Sequence, residues 1–237
     1  MLVYQGEELI GEGIGFGVPI IGYGDETYFP GDATVSLHQS SDCDAVVTKQ
    51  FIMNIITRKN FRQVKMENRL VRKISWSLDE IYRKHKRLRM FFLTGIRGRM
   101  GVRTSFLKTT AAGNVIVSYY IKNSHVQVKV DLSDLRWDKL RKIYLLNEQG
   151  SLIFRRYSDS GDTILFDKQI GAWEVVKSKW ASISDMKGNV GFKLWNVKGG
   201  ILRRGREYGG NVDWIGLDYE LTPTKPNFEY EIEVLGA

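Results

Sequence analysis

Cysteine is almost absent: Cys43 stands alone in 237 residues. An internal disulfide and a cysteine-rich zinc site are therefore excluded, and a single thiol fits a reducing compartment. Proline is nearly as scarce, with four residues, and no low-complexity tract marks a linker. The sequence accordingly reads as one domain over residues 1–237. No stretch of about 18 uninterrupted apolar residues occurs, so no membrane span is expected. Glu7 and Glu8 stand where a secretory signal would carry a basic start before a long apolar run. The cytoplasm is the expected location. No nucleophile or metal cluster stands out, and neither cofactor nor metal is expected.

What is present is alternation. Residues 114–121 (Asn-Val-Ile-Val-Ser-Tyr-Tyr-Ile), 125–131 (His-Val-Gln-Val-Lys-Val-Asp) and 228–234 (Phe-Glu-Tyr-Glu-Ile-Glu-Val) each alternate apolar with polar side chains. Successive side chains leave opposite faces of a strand, so this period of two marks half-buried strands. Further strands are read at 26–29, 33–37 and 45–56, with Pro30-Gly31 separating the first two. Residues 142–146 and 152–157 read as a hairpin across Asn147-Glu-Gln-Gly. Short strands follow at 163–166, 172–176, 180–184 and 190–195, while the glycine-rich run 196–210 reads as an extended loop. Ser77 and Glu80 make a capping-box pattern, and Leu78, Ile81, Tyr82, His85 and Leu88 follow at helical spacing, which predicts one short helix over 78–89. With 43% hydrophobic residues to fill a core, the pattern predicts a mainly β protein, a large antiparallel β-sandwich with one short helix.

Glycine recurs at 11, 13, 15 and 17. An extended chain puts these on one bare face, where a backbone, an aromatic ring or a ligand can approach closely. The run matches neither a dinucleotide nor a phosphate-loop signature, and Pro19 stands where a helix would begin.

Two segments resemble the galactose-mutarotase-like family. One is 180–195, Trp-Ala-Ser-Ile-Ser-Asp-Met-Lys-Gly-Asn-Val-Gly-Phe-Lys-Leu-Trp, similar to that family's hairpin with an exposed W-x-x-x-x-D pattern. The other is 219–234, similar to its last strand pair, where a proline-marked turn precedes a final alternating strand. The resemblance implies a supersandwich fold and a general association with carbohydrate. The family's epimerases use histidines and a late glutamate, but His38, His85 and His125 match none of those motifs. Epimerase chemistry is not carried over.

Candidate site residues follow from side-chain chemistry. Trp173, Trp180, Trp195 and Trp214 gather in the C-terminal third. An indole face stacks on the apolar face of a sugar while its N–H finds a partner. Arg156 and Asp213 are taken as polar companions, since a guanidinium forks onto carboxylate, sulfate or phosphate. Glu148, Asp159, Asp162, Glu174, Asp213 and Glu220 are the acids from which a glycoside-cleaving pair would be drawn.

Charge supplies a second reading. Residues 58–108 hold sixteen Lys and Arg against three acids, a local net of +13 within an overall +8. Such a segment attracts a polyanion such as nucleic acid or an acidic glycan, or else forms a solvated face. Arg97, Arg99 and Arg103, aligned by a period of two, are the expected first anion contacts. A third reading is assembly, with long sheets pairing between copies of the chain into a homo-oligomer. The polyanion reading predicts binding to a duplex or single strand whose log affinity falls steeply with log salt. Filter binding across a salt series checks this, and a flat response removes the reading.

Overall fold

A computed structural model describes residues 3–4, 7–8, 15–24, 26–61, 102–209 and 212–236, with side chains at 15–24, 26–57, 106–206 and 214–236. The strands in chain order are β1 (Val3–Tyr4), β2 (Glu7–Glu8), β3 (Gly15–Tyr23), β4 (Glu26–His38), β5 (Ala45–Phe61) and β6 (Val102–Lys108). They continue as β7 (Asn114–Lys122), β8 (His125–Asp131), β9 (Leu140–Gly150), β10 (Arg156–Asp159), β11 (Ile164–Phe166) and β12 (Glu174–Val175). The last five are β13 (Trp180–Ser184), β14 (Gly191–Trp195), β15 (Gly200–Gly209), β16 (Val212–Leu221) and β17 (Asn227–Leu235). The protein is mainly β, as the alternation implies. The only helical pieces among the described residues are single 3₁₀ turns at Trp137–Lys139 and Asp167–Gln169. The helix expected over 78–89 lies outside the described residues.

Two compact units divide the chain. In Ile56–Leu107, the described residues are the far end of β5 and most of β6, and these strands pair. The other unit comprises Met1–Ile55 and Lys108–Ala237. Its strands run β11-β10-β13-β14-β17-β8-β7-β5-β4-β3-β9-β16-β15-β12. This sheet folds over on itself. The Tyr219 ring of β16 packs on Phe228 and Tyr230 of β17 at 5.3 and 4.8 Å between centroids. Phe16 of β3 meets Phe192 of β14 edge-on at 5.0 Å. One layer thus runs from β11 to β7 and the other from β3 to β12, with β5 and β4 carrying the sheet between them. Ile21, Val117, Val128, Ile143, Leu145, Ile183, Leu194, Leu202, Ile215 and Leu217 fill the space between the layers.

Three readings of the sequence are corrected. Pro30-Gly31 does not break the chain, because β4 runs through both residues. Its pairing with β3 ends at Tyr28, so the N–H that proline lacks has no partner to lose on that side. Residues 147–150 do not turn either. β9 continues through them and pairs with β3 and β16, while β10 pairs with β11 and β13. Finally, 200–209 is a strand rather than a loop. A Cβ on Gly205 would lie 2.5 Å from the Trp173 ring, so this glycine makes room for an indole laid on the strand. The 219–234 segment does contain two strands, but β16 and β17 belong to different layers and do not pair with each other.

Asn147 explains why β9 stays extended through a turn-like sequence. Its Oδ1 accepts from Gly17 N at 3.0 Å and from the Tyr230 hydroxyl at 2.8 Å. Its Nδ2 donates to the carbonyls of Leu217 at 3.0 Å and Leu145 at 3.3 Å, and its backbone N–H donates to Asp218 Oδ1 at 2.9 Å. Gly17 has a φ of +69° at a register shift in β3, and a Cβ there would press on the hydroxyls of Tyr119 and Tyr230. Gly17 thus makes room for two tyrosine hydroxyls, whereas Gly11 and Gly13 lie outside the described residues. Burial raises the pKa of Tyr230 well above its ordinary value, which keeps its hydroxyl a donor. Replacing Asn147 with Ala strands several buried groups at once and is expected to cost about 3–5 kcal/mol in urea unfolding. Tyr230→Phe removes one bond and is expected to cost about 1–2 kcal/mol. Equal losses for the two variants would contradict the network.

Candidate functional site

Residues directly opposite on neighbouring strands share a face. In β10, β13 and β14 the buried set is Tyr157, Ala181, Ile183, Phe192 and Leu194, which face the core. The alternate set faces away. Arg156 lies opposite Ser184, and Ser184 opposite Gly191. Ser158 lies opposite Ser182, Ser182 opposite Lys193, and Lys193 opposite Glu233 of β17. Trp180 lies opposite Trp195. On β11, Phe166 stands opposite Arg156 and Ile164 opposite Ser158, both substantially exposed. The outward face is therefore a strip of hydroxyls and cations bordered by aromatic and aliphatic side chains.

Its geometry is specific. Lys193 Nζ sits 4.8 Å from the ring centroids of both Trp180 and Trp195, and 3.0 Å from Glu233 Oε2. A cation over an indole contributes about 0.5–2 kcal/mol. Here one ammonium orients two rings while the carboxylate holds the ammonium. Ser158 and Ser182 share a 2.8 Å hydroxyl hydrogen bond. Ser182 and Ser184 are only 4% and 3% exposed although they point away from the core, so their neighbours on the strip enclose them. Hydroxyls in such a setting are directional donors and acceptors rather than solvated ones.

The sequence-derived candidates divide. Arg156, Trp180 and Trp195 come together on this strip. Trp173 and Trp214 belong to the outward face of the opposite layer. Trp173 covers Gly205, while Trp214 lies opposite Gly150 of β9 and Glu207 of β15. Asp213 is in β16 opposite Tyr208, and its side chain lies outside the described residues. Arg97 and Arg99 also lie outside them; Arg103 falls in β6, with its side chain outside. Lys193, Ser158, Ser182 and Glu233 were not singled out from sequence. Their only signal is their alternation with core residues in Phe192-Lys-Leu-Trp and its partner strands.

Three of the six candidate acids, Glu220, Glu174 and Asp159, are engaged elsewhere. Glu220 pairs with Lys142 at 2.6 Å and Arg203 at 3.0 Å, and Glu174 pairs with Arg204 at 3.1 Å. Asp159 accepts from the Tyr157 hydroxyl at 2.7 Å and from the backbone N–H groups of Gly161 and Thr163. Among the described residues no group of three His, Cys, Asp or Glu could hold a metal. Nor is any helix among them long and apolar enough to cross a membrane.

Asp159 secures the turn that presents β11 beside Arg156 and Ser158. Desolvation pushes its pKa up, but the hydrogen bonds from Tyr157, Gly161 and Thr163 outweigh this and leave it below the usual carboxylate value. A depressed folded-state pKa gives stability above the ordinary carboxylate range that is lost as pH falls through it, below about pH 4. Asp159→Asn is therefore expected to be less stable at neutral pH and to lose less stability on acidification. Thermal melts from pH 7 to pH 3 check this, and parallel losses in both proteins would refute it.

No protein-family model matches the chain, and no curated protein matches it.

Proposed function

We propose that the outward strip of β10, β13 and β14 binds a saccharide. The observation that carries this reading is the Trp180–Trp195 pair, set opposite each other on an outward face with Lys193 4.8 Å from both rings. Indoles offer apolar area for the C–H face of a sugar, and their orientation is already held, which reduces the ordering cost of binding. Ser158 and Lys193 supply hydroxyl and ammonium partners for sugar hydroxyls beside them, with Ser182 holding the Ser158 hydroxyl from beneath. The resemblance of 180–195 to a hairpin of the mutarotase-like family supports the same assignment, and the lone cysteine fits a cytoplasmic setting. Recognition, with no cofactor, is the role proposed.

The test is calorimetric titration against a panel of neutral and acidic oligosaccharides. Trp180→Ala and Trp195→Ala are each expected to weaken binding about tenfold or more, roughly 1.4 kcal/mol. Trp173→Ala and Trp214→Ala, on the other outward face, are expected to leave affinity unchanged. Absence of binding to every sugar at millimolar concentration, or equal losses for all four variants, overturns the reading.

A further inference from the structure

Arg156 differs from the three arginines of β15 in having no carboxylate within reach among the described residues. Arg203, Arg204 and Arg206 each reach a carboxylate, at 3.0 Å to Glu220, 3.1 Å to Glu174 and 3.1 Å to Asp167. Lys193 is neutralised by Glu233 at 3.0 Å. Arg156 has no carboxylate among the described residues. Its Nε is closed to solvent and has no acceptor, and Nη1 reaches only the Lys187 carbonyl, at 3.5 Å. Asp185, in the adjoining turn, directs Oδ1 to the backbone N–H groups of Asn189 at 2.6 Å and Val190 at 3.2 Å. A guanidinium carries five N–H donors, and leaving them half-buried and unmatched is unfavourable. Such a group is suited to an acceptor that arrives from outside.

We infer that the saccharide carries an anionic group, a carboxylate or a sulfate, and that Arg156 reads it. This rests on the saccharide reading of the same strip. Two oxygens of either group match the guanidinium fork, and partial desolvation strengthens the attraction. Placement fixes the size of the ligand. Arg156 lies opposite Ser184, four residues along β13 from Trp180, which separates anion and indole by roughly 13 Å along the strand. Ser182 and Ser158 floor the interval, and Phe166 borders its far end. A single sugar ring does not cover that distance, so the ligand is an acidic oligosaccharide whose charged unit lies toward the β10 and β11 end.

The experiment compares three oligosaccharides of equal length, a neutral galactan, a uronate oligomer and a sulfated galactan, binding to wild-type protein and to Arg156→Gln and Arg156→Lys. The expected result is at least tenfold tighter binding of one or both acidic oligomers than of the neutral one. Arg156→Gln is expected to abolish that preference, and Arg156→Lys to recover only part of it. The two acidic arms distinguish carboxylate from sulfate. Equal affinity for neutral and acidic oligomers, or an undiminished preference in Arg156→Gln, overturns the inference and leaves saccharide recognition standing. Failure of all three to bind overturns both. Matching urea midpoints for the variants establish that a loss is not one of folding.

Discussion

The sandwich depends on a single amide. Asn147 sits in a strand of one layer, yet its side chain ties together the β3 bulge, the β16 backbone and a tyrosine from the opposite layer. A buried polar group is tolerated only when its hydrogen bonds are made, and this one makes them with good geometry. Asn147 therefore sets the register of three strands and their distance from a fourth. Other phenols repeat the theme. The Tyr119 hydroxyl donates to the Phe16 carbonyl, and the Tyr219 hydroxyl donates to the Trp195 carbonyl at 2.6 Å. Apolar packing gives the layers their attraction, but these directional bonds select one alignment among the many a greasy interface would accept.

The Tyr219 bond also links this interior to the outward strip. Its acceptor is the backbone of Trp195, so the far layer grips the strand that bears one of the two indoles. On the outward side Lys193 and Glu233 fix the rings laterally. The tryptophan pair is thereby anchored from beneath and from beside. Rigid strands hold a site more narrowly than loops do, and the strip is built almost wholly on strands.

Much of this was legible in the residues, for reasons that differ by element. The runs at 114–122, 125–131 and 227–235 became strands because each has one core face and one outward face, and alternation records that asymmetry directly. Residues 147–150 and 200–209 misled because asparagine and glycine serve two purposes. They favour turns, but they also satisfy a buried bulge, as Asn147 does, or admit an indole, as Gly205 does. Which purpose applies depends on residues distant in sequence. The same limit governs the tryptophans. Four of them lie close along the chain, but the strand order sends Trp180 and Trp195 to one outward face and Trp173 and Trp214 to the other. Arg156 was recognisable as a forked donor, whereas its lack of a carboxylate partner is a property of the folded neighbourhood.

The passage of the chain from β16 to β17 carries a consequence for biosynthesis. β17 is not an edge: it lies between β14 and β8 and gives both of them their hydrogen-bonded neighbour. A ribosome must therefore release residue 235 before that layer can close. Until then β14 and β8 expose unsatisfied edges to other nascent chains. Late insertion of a central strand makes closure of this layer depend on non-local contacts, and so slow.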